Sequence, residues 1–470
     1  MKFVFFIDAL DPKDVKSACP EMYEDMKGKY DVGVPRVTPN TVTQAMTGKK
    51  PEEMQMIRST PMWEPSEKNG QRWEHSEGEP VQAEEGPERS IEGDPVQGQK
   101  RVGFHPYDNI LTALDDEGVS LFQYGTPFAS FVELENGLSV YDEMNNERAP
   151  EFMNFATPPT QFMEDDWDVI HDSYVSDTVL ELETMKQIAR QDNVDAVFLG
   201  YKHIDHCTHW YFPDCKDSLI QVIWAYIQDL RRMGHEVMWW SDHGSQNKEE
   251  VFNINKFLHE QGFLHYEIDE EFAEKLKEKG VTQENFEDQM QLSHPAVEVD
   301  WESSVAFSTD AFDSMVDVSE NATDEEIEEV KQALDNHPAI ANCWRKKEKM
   351  DENAENYYYA PELIVERDDH VLVTGNIHPE APVHVEDVPD DWEEYPYDNM
   401  GMRPGVHSRY GCFGGDVPEG AQVEDGKIWQ LRDIMYDFVN PEEVASEGGE
   451  PEVRQREDQM NQMMDELGYM

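Results

Sequence analysis

The chain has 470 residues, with 101 Asp and Glu against 38 Lys and Arg, a formal net charge of −63. A surface this acidic disfavours nucleic acid and anionic membranes as partners, because both need basic patches. It does not imply disorder, since 38% of the chain is hydrophobic and 11 Trp, 18 Tyr and 21 Phe are spread along it, which is material for a core.

Self-repulsion at this charge is strong at low salt. At molar salt the Debye length falls to about 3 Å, so the composition points to a halophile's cytoplasmic protein. The cysteines Cys19, Cys207, Cys215, Cys343 and Cys412 are odd in number and scattered, which fits a reducing compartment and no disulfide framework. No apolar run approaches the roughly 20 residues of a membrane span.

Phe3 to Ile7 is a continuous apolar run closed by Asp8. That is the pattern of a central parallel strand buried on both faces; the run is too short for a leader peptide and ends at an acid. Residues 41–47 read as a helix after the turn Thr38-Pro39-Asn40. Residues 64–100 are rich in Glu, Gly, Pro, Gln and Ser with no apolar period. An insertion over about 64–105 is expected there, either a lid or a solvated loop. A helix at 110–114 and a strand at 119–122 follow. Val179, Leu182, Met185 and Ala189 fall near helical spacing, and 194–201 reads as a strand. Ile220, Ile223, Ile227 and Leu230 mark an amphipathic helix over 217–232, and 237–240 is a further buried strand. Helices and strands alternating at these lengths predict a parallel α/β sheet. Thr323 and Glu326 form a capping box for a helix running to Leu334. The expected architecture is one large α/β domain over 1–440, a mostly parallel central sheet flanked by helices with insertions. A polar linker and a C-terminal helix over 441–470 follow, with Met460, Met463 and Leu467 inward.

Acids and histidines gather where the predicted strands stop. Asp8 closes the first, Asp205 and His209 follow the strand at 194–201, and Asp242 and His243 follow the strand at 237–240. In open parallel sheets, ligands bind beyond the carboxyl ends of the strands, so these three places share one edge. Carboxylates mixed with imidazoles suit zinc or manganese. Each feature alone is common in a chain with 101 acids; the argument rests on their coincidence. Thr38 is the candidate nucleophile. Its plain alternative, a helix N-cap, is compatible with that role, and a helix N-terminus there also favours phosphate.

These residues resemble a known family. Asp8, the run Val37-Thr38-Pro39-Asn40-Thr41 leading to Thr47-Gly48, Asp205-x-x-x-His209, Ser241-Asp242-His243-Gly244 and Gly405-Val406-His407 occur in the order seen in type I phosphodiesterase/nucleotide pyrophosphatase-like proteins of the alkaline phosphatase superfamily. The resemblance implies an alkaline phosphatase-like fold and two divalent cations, Zn2+ or Mn2+. One would be held by Asp8, Thr38, Asp242 and His243, the other by Asp205, His209 and His407. It further implies attack by Thr38 on phosphorus through a phospho-threonine, on a small phosphorylated substrate with a phosphodiester or nucleotide pyrophosphate bond. His407 is singled out by the resemblance alone.

Several alternatives stay open. One is a phosphomonoesterase on the same frame. A sulfatase-like hydrolase would use a Cys or Ser in a Cys/Ser-x-Pro-x-Arg motif, whereas this chain has Thr38-Pro39-Asn40. A third is a non-catalytic protein that keeps the metal ligands. Relatives often carry a phosphate-holding Asn after the Thr-Gly segment; here the region reads Met54 to Thr60, with Ser59 or Thr60 as substitutes. Arg36, Arg58 and Arg403 are either phosphate clamps or surface ion pairs, and His203 and His206 flank Asp205 as surface or supporting residues.

Overall fold

The computed structural model describes residues 1–33, 38–50, 63–65, 99–101, 109–126, 134–140, parts of 175–190, 194–210, 213–268, 297–300, 303–308, 315–319, 321–352, 357, 360–375, 383–386 and 405–439. Of these, the side chains of residues 38–40, 63–65, 99–101, 138–140, 206, 209, 210, 213–215, 268, 297 and 298 are not among those described.

A seven-stranded sheet organises the chain. Its strands are β1 (Lys2–Ile7), β2 (Met26–Asp31), β3 (Leu121–Tyr124), β4 (Gly137–Val140), β5 (Ala196–Tyr201), β6 (Glu236–Trp240) and β9 (Tyr410–Gly415), while β7 (Gly244–Asn247) and β8 (Gly405–Ser408), distant in the chain, pair antiparallel as a separate ribbon. The spatial order is β4-β3-β5-β1-β6-β9-β2. The five strands from β4 to β6 are parallel. β9 runs antiparallel to β6, and β2 antiparallel to β9. The sheet is therefore mostly parallel, as expected, with an antiparallel edge that the sequence did not suggest. The third strand begins at Leu121 rather than at 119, because the Ser120 carbonyl is taken by Asp195 and Ala196 N–H groups before the ladder starts.

Every residue of the three central strands is apolar or glycine apart from the first residues of β1 and β6, because both faces are covered. Side chains alternate between faces. Phe3, Phe5, Ile7, Val197, Leu199, Tyr201, Val237 and Trp239 enter one core, which the helix Pro213–Arg232 covers. Val4, Phe6, Phe198, Met238 and Trp240 enter the other. Fully burying each such side chain contributes about 1.5–3 kcal/mol, so one misplaced charge in this layer is costly.

The helices that position the site are α1 (Pro12–Ala18), α2 (Thr38–Thr47), α3 (His203–Trp210) and α4 (Pro213–Arg232). α4 buries Leu219, Ile220, Ile223, Ile227 and Leu230 against the first core. α2 buries Val42, Ala45 and Met46 against the second, beside the helices Ile110–Asp116 and Leu431–Val439. The described residues between 250 and 385 form a further core around Phe252, Leu258, Val316, Val330 and Val365. A four-stranded antiparallel sheet lies there, of order Ala306–Ser308, Met315–Val318, Leu363–Arg367, Ile340–Arg345. The helix Asp324–Asp335 beside it starts with the expected Thr323–Glu326 capping box. Of the expected excursion over 64–105, only the ends are described: Trp63–Pro65 pairs antiparallel with Gln99–Arg101. The expected segment 441–470 lies outside the described residues.

Candidate metal centre

Three parallel strands end side by side. The ladder of β1 on β5 continues past the strands, where the Asp8 N–H donates to the Tyr201 carbonyl at 2.9 Å. Asp8 follows β1, Asp205 sits in the first turn of α3 just past β5, and Asp242 with His243 follows β6. The alternation that sends Phe6 and Trp240 into the second core also directs Asp8 and Asp242 to that face, which α2 covers. Ala9 turns the chain away with a left-handed backbone (φ 59°), and its N–H reaches Asp242 Oδ1 at 3.4 Å.

Two donor groups result. Asp8, Asp242 and His243 bring one ligand atom each within 4.8 Å of one another, and so do Asp205, His243 and His407. His243 Nε2 lies 3.2 Å from Asp242 Oδ2 and 3.7 Å from Asp8 Oδ1. His407 Nε2 lies 3.4 Å from Asp205 Oδ1, and the two imidazoles stack with centroids 3.9 Å apart. His243 thus stands between the groups, whereas the sequence reading placed it with one. His209 lies one turn after Asp205 on α3, and Thr38 is the first residue of α2; their side chains are outside the described residues.

Asp8, Asp242 and His243 are almost fully buried. Burial pushes the Asp8 carboxyl well above the usual carboxylate range, Asp242 and Asp205 push it further, and Lys202 draws it back. Burial holds the His243 imidazole below its ordinary value, which keeps it neutral, the form that binds metal. Its Nδ1 faces the Gly244 carbonyl at 3.1 Å, which leaves Nε2 for the carboxylate side. Three carboxylates and two imidazoles crowded at a buried edge fit divalent cations in donor type and in charge.

Supporting contacts explain how β8 delivers His407. It pairs with β7 so that His407 stands opposite Ser245 and Ser408 opposite Gly244. A Cβ on Gly405 would meet Thr208 Cγ2 at 2.2 Å and the Thr208 carbonyl oxygen at 2.5 Å, so glycine lets β8 lie directly on α3. Arg367, buried in the antiparallel sheet, donates to the His407 carbonyl and, at 3.0 Å, to the Val371 carbonyl. Lys202 follows β5 beside Asp8. Gly405 was noticed only as part of the motif Gly405-Val406-His407; neither Arg367 nor Lys202 stands out in the sequence, though the position of Lys202 after an apolar strand could have drawn attention to it.

The chain belongs to the type I phosphodiesterase/nucleotide pyrophosphatase family, whose model matches residues 27–396. It is a phosphoric ester hydrolase with the alkaline phosphatase-like fold. It is similar to the phosphonoacetate hydrolase of Sinorhizobium meliloti 1021 in complex with phosphonoacetate, with a TM-score of 0.51 and 10% identity over 92% of this chain and 95% of that one. Murine ectonucleotide pyrophosphatase/phosphodiesterase 5 in complex with AMP matches with a TM-score of 0.47 and 11% identity over 93% and 94%. No curated protein matches by sequence. Among the described residues, no helix is long and apolar enough to cross a membrane.

Proposed function

We propose that the chain hydrolyses a phosphodiester or nucleotide pyrophosphate bond of a small substrate through a phospho-threonine on Thr38, with two divalent cations, Zn2+ or Mn2+. The observation that carries this reading is the pair of donor groups meeting at His243 on the carboxyl edge of the sheet, in a chain of this family. Asp8, Asp242 and His243, with Thr38, would hold one cation, and Asp205, His209 and His407 the other. When bound, the cations supply positive charge to the attacking and leaving oxygens.

Thr38 begins α2, and the first-turn amides other than Pro39, which has no N–H, together with the helix dipole would favour an anion there. The Thr38 hydroxyl gives its proton to solvent as its oxygen bonds to phosphorus, and the leaving-group oxygen departs with the electron pair of the P–O bond. Water then cleaves the phospho-threonine and restores the hydroxyl. Burial of Asp8, Asp242 and His243 excludes water, so the charge of a cation held there would act strongly on the reacting oxygens.

The test is Thr38→Ala, assayed for turnover and metal content together. We expect turnover to fall by at least a thousandfold with about two cations per chain retained. A variant with full activity overturns the assignment of the nucleophile.

A further inference from the structure

We infer that Thr41 is a positioning residue whose hydroxyl fixes the Asp242 carboxylate and, through it, the placement of the α2 N-terminus that carries Thr38. The inference rests on the reading of Asp242 as a metal ligand. Thr41 is fully buried, and its Oγ1 lies 3.0 Å from Asp242 Oδ2. An ionised carboxylate only accepts hydrogen bonds, so the hydroxyl is the donor. The same Oδ2 lies 3.2 Å from His243 Nε2, while Oδ1 receives the Ala9 N–H. Both carboxylate oxygens are therefore held by chain segments distant in sequence, and the rotation of the Asp242 carboxylate is set.

Thr41 also stands three residues after Thr38. In a helix, positions i and i+3 share a face, so the turn bearing Thr38 is the turn tied down by Thr41. The neighbouring anchors Val42, Ala45 and Met46 are apolar, and apolar packing is non-directional. The bond to Asp242 adds a direction to it. Partners that orient metal ligands typically change metal affinity ten- to a hundredfold when lost.

The experiment compares Thr41→Val, which keeps the shape and removes the hydroxyl, with Thr41→Ser, which keeps the hydroxyl. Each is titrated with Co2+ while the visible absorption bands are followed, then with Zn2+ against a chelator, and kcat is measured. Thr41→Val is expected to weaken one of two cations by ten- to a hundredfold, to alter the Co2+ bands and to lower kcat. Thr41→Ser is expected to restore all three to within about threefold. If Thr41→Val does not fold, Thr41→Ala replaces it. Wild-type affinity, spectrum and kcat in the hydroxyl-free variant overturn the inference. Asp242→Asn is the control: if it too leaves cation binding untouched, the metal reading has failed, and the role of Thr41 falls with it.

Discussion

His337 stacks on Phe252 with centroids 4.1 Å apart, and the His384 ring stands 5.1 Å away. Burial and the neighbouring His384 hold its pKa down from 6.5 to about 4. Between those values the unfolded chain binds more protons than the folded one, so stability rises with pH across that window. The stabilising effect of a neutral His337 is complete above pH 6.5 and is lost as pH falls towards 4. Acidification also protonates many surface carboxylates, so the informative quantity is a difference. Wild type should lose stability relative to His337→Asn in chemical denaturation as pH goes from 7.5 to 4.5; parallel profiles would contradict this. Among individual residues, Asp8, Asp205, Asp242 and His243 were legible because each follows an apolar strand. Thr41 was not, since a threonine in a helix reads the same whether its hydroxyl meets solvent or a carboxylate. His407 sits in a short strand, Gly405–Ser408, with no long apolar run before it, and only the resemblance to a family singled it out.

Elements bring those residues together, and the contact of β8 with α3 is the tightest of these arrangements. Gly405 lies where a Cβ would overlap both the side chain and the backbone oxygen of Thr208. Gly405→Ala must therefore push β8 off α3, at a cost of roughly 1–3 kcal/mol, and draw His407 away from Asp205. We expect a lower denaturation midpoint and a cation content that falls from about two per chain towards one. A variant with wild-type midpoint and metal content would show that the strand adapts without cost. The sheet and helix elements around the site were readable because a fully buried strand and an amphipathic helix each leave a distinct apolar pattern. The antiparallel sheet of residues 306–367 was not. Its strands are short, and Ile340–Arg345 exposes Ala341 and Asn342 at its centre, which erases the alternation expected of a half-buried strand. The antiparallel strand Tyr410–Gly415, which lies between β6 and the edge strand β2, is buried along most of its length and mimics a central parallel strand.

At the scale of the whole molecule, a chain of net charge −63 buries both faces of one sheet, and the donor groups lie where the parallel strands end. The family match, the alternation of buried strands and covering helices, and the convergence of Asp8, Asp205, Asp242, His243 and His407 agree with one another. The high charge calls for assays in molar KCl, where repulsion between surface carboxylates is screened. The most direct test is release of p-nitrophenol from bis-p-nitrophenyl phosphate and from p-nitrophenyl phosphate under those conditions, with Zn2+ or Mn2+ and again with excess chelator. The account predicts release that favours the diester and stops on chelation. Release unaffected by chelator, a preference for the monoester, or no release from either ester by folded protein with cations bound would contradict it.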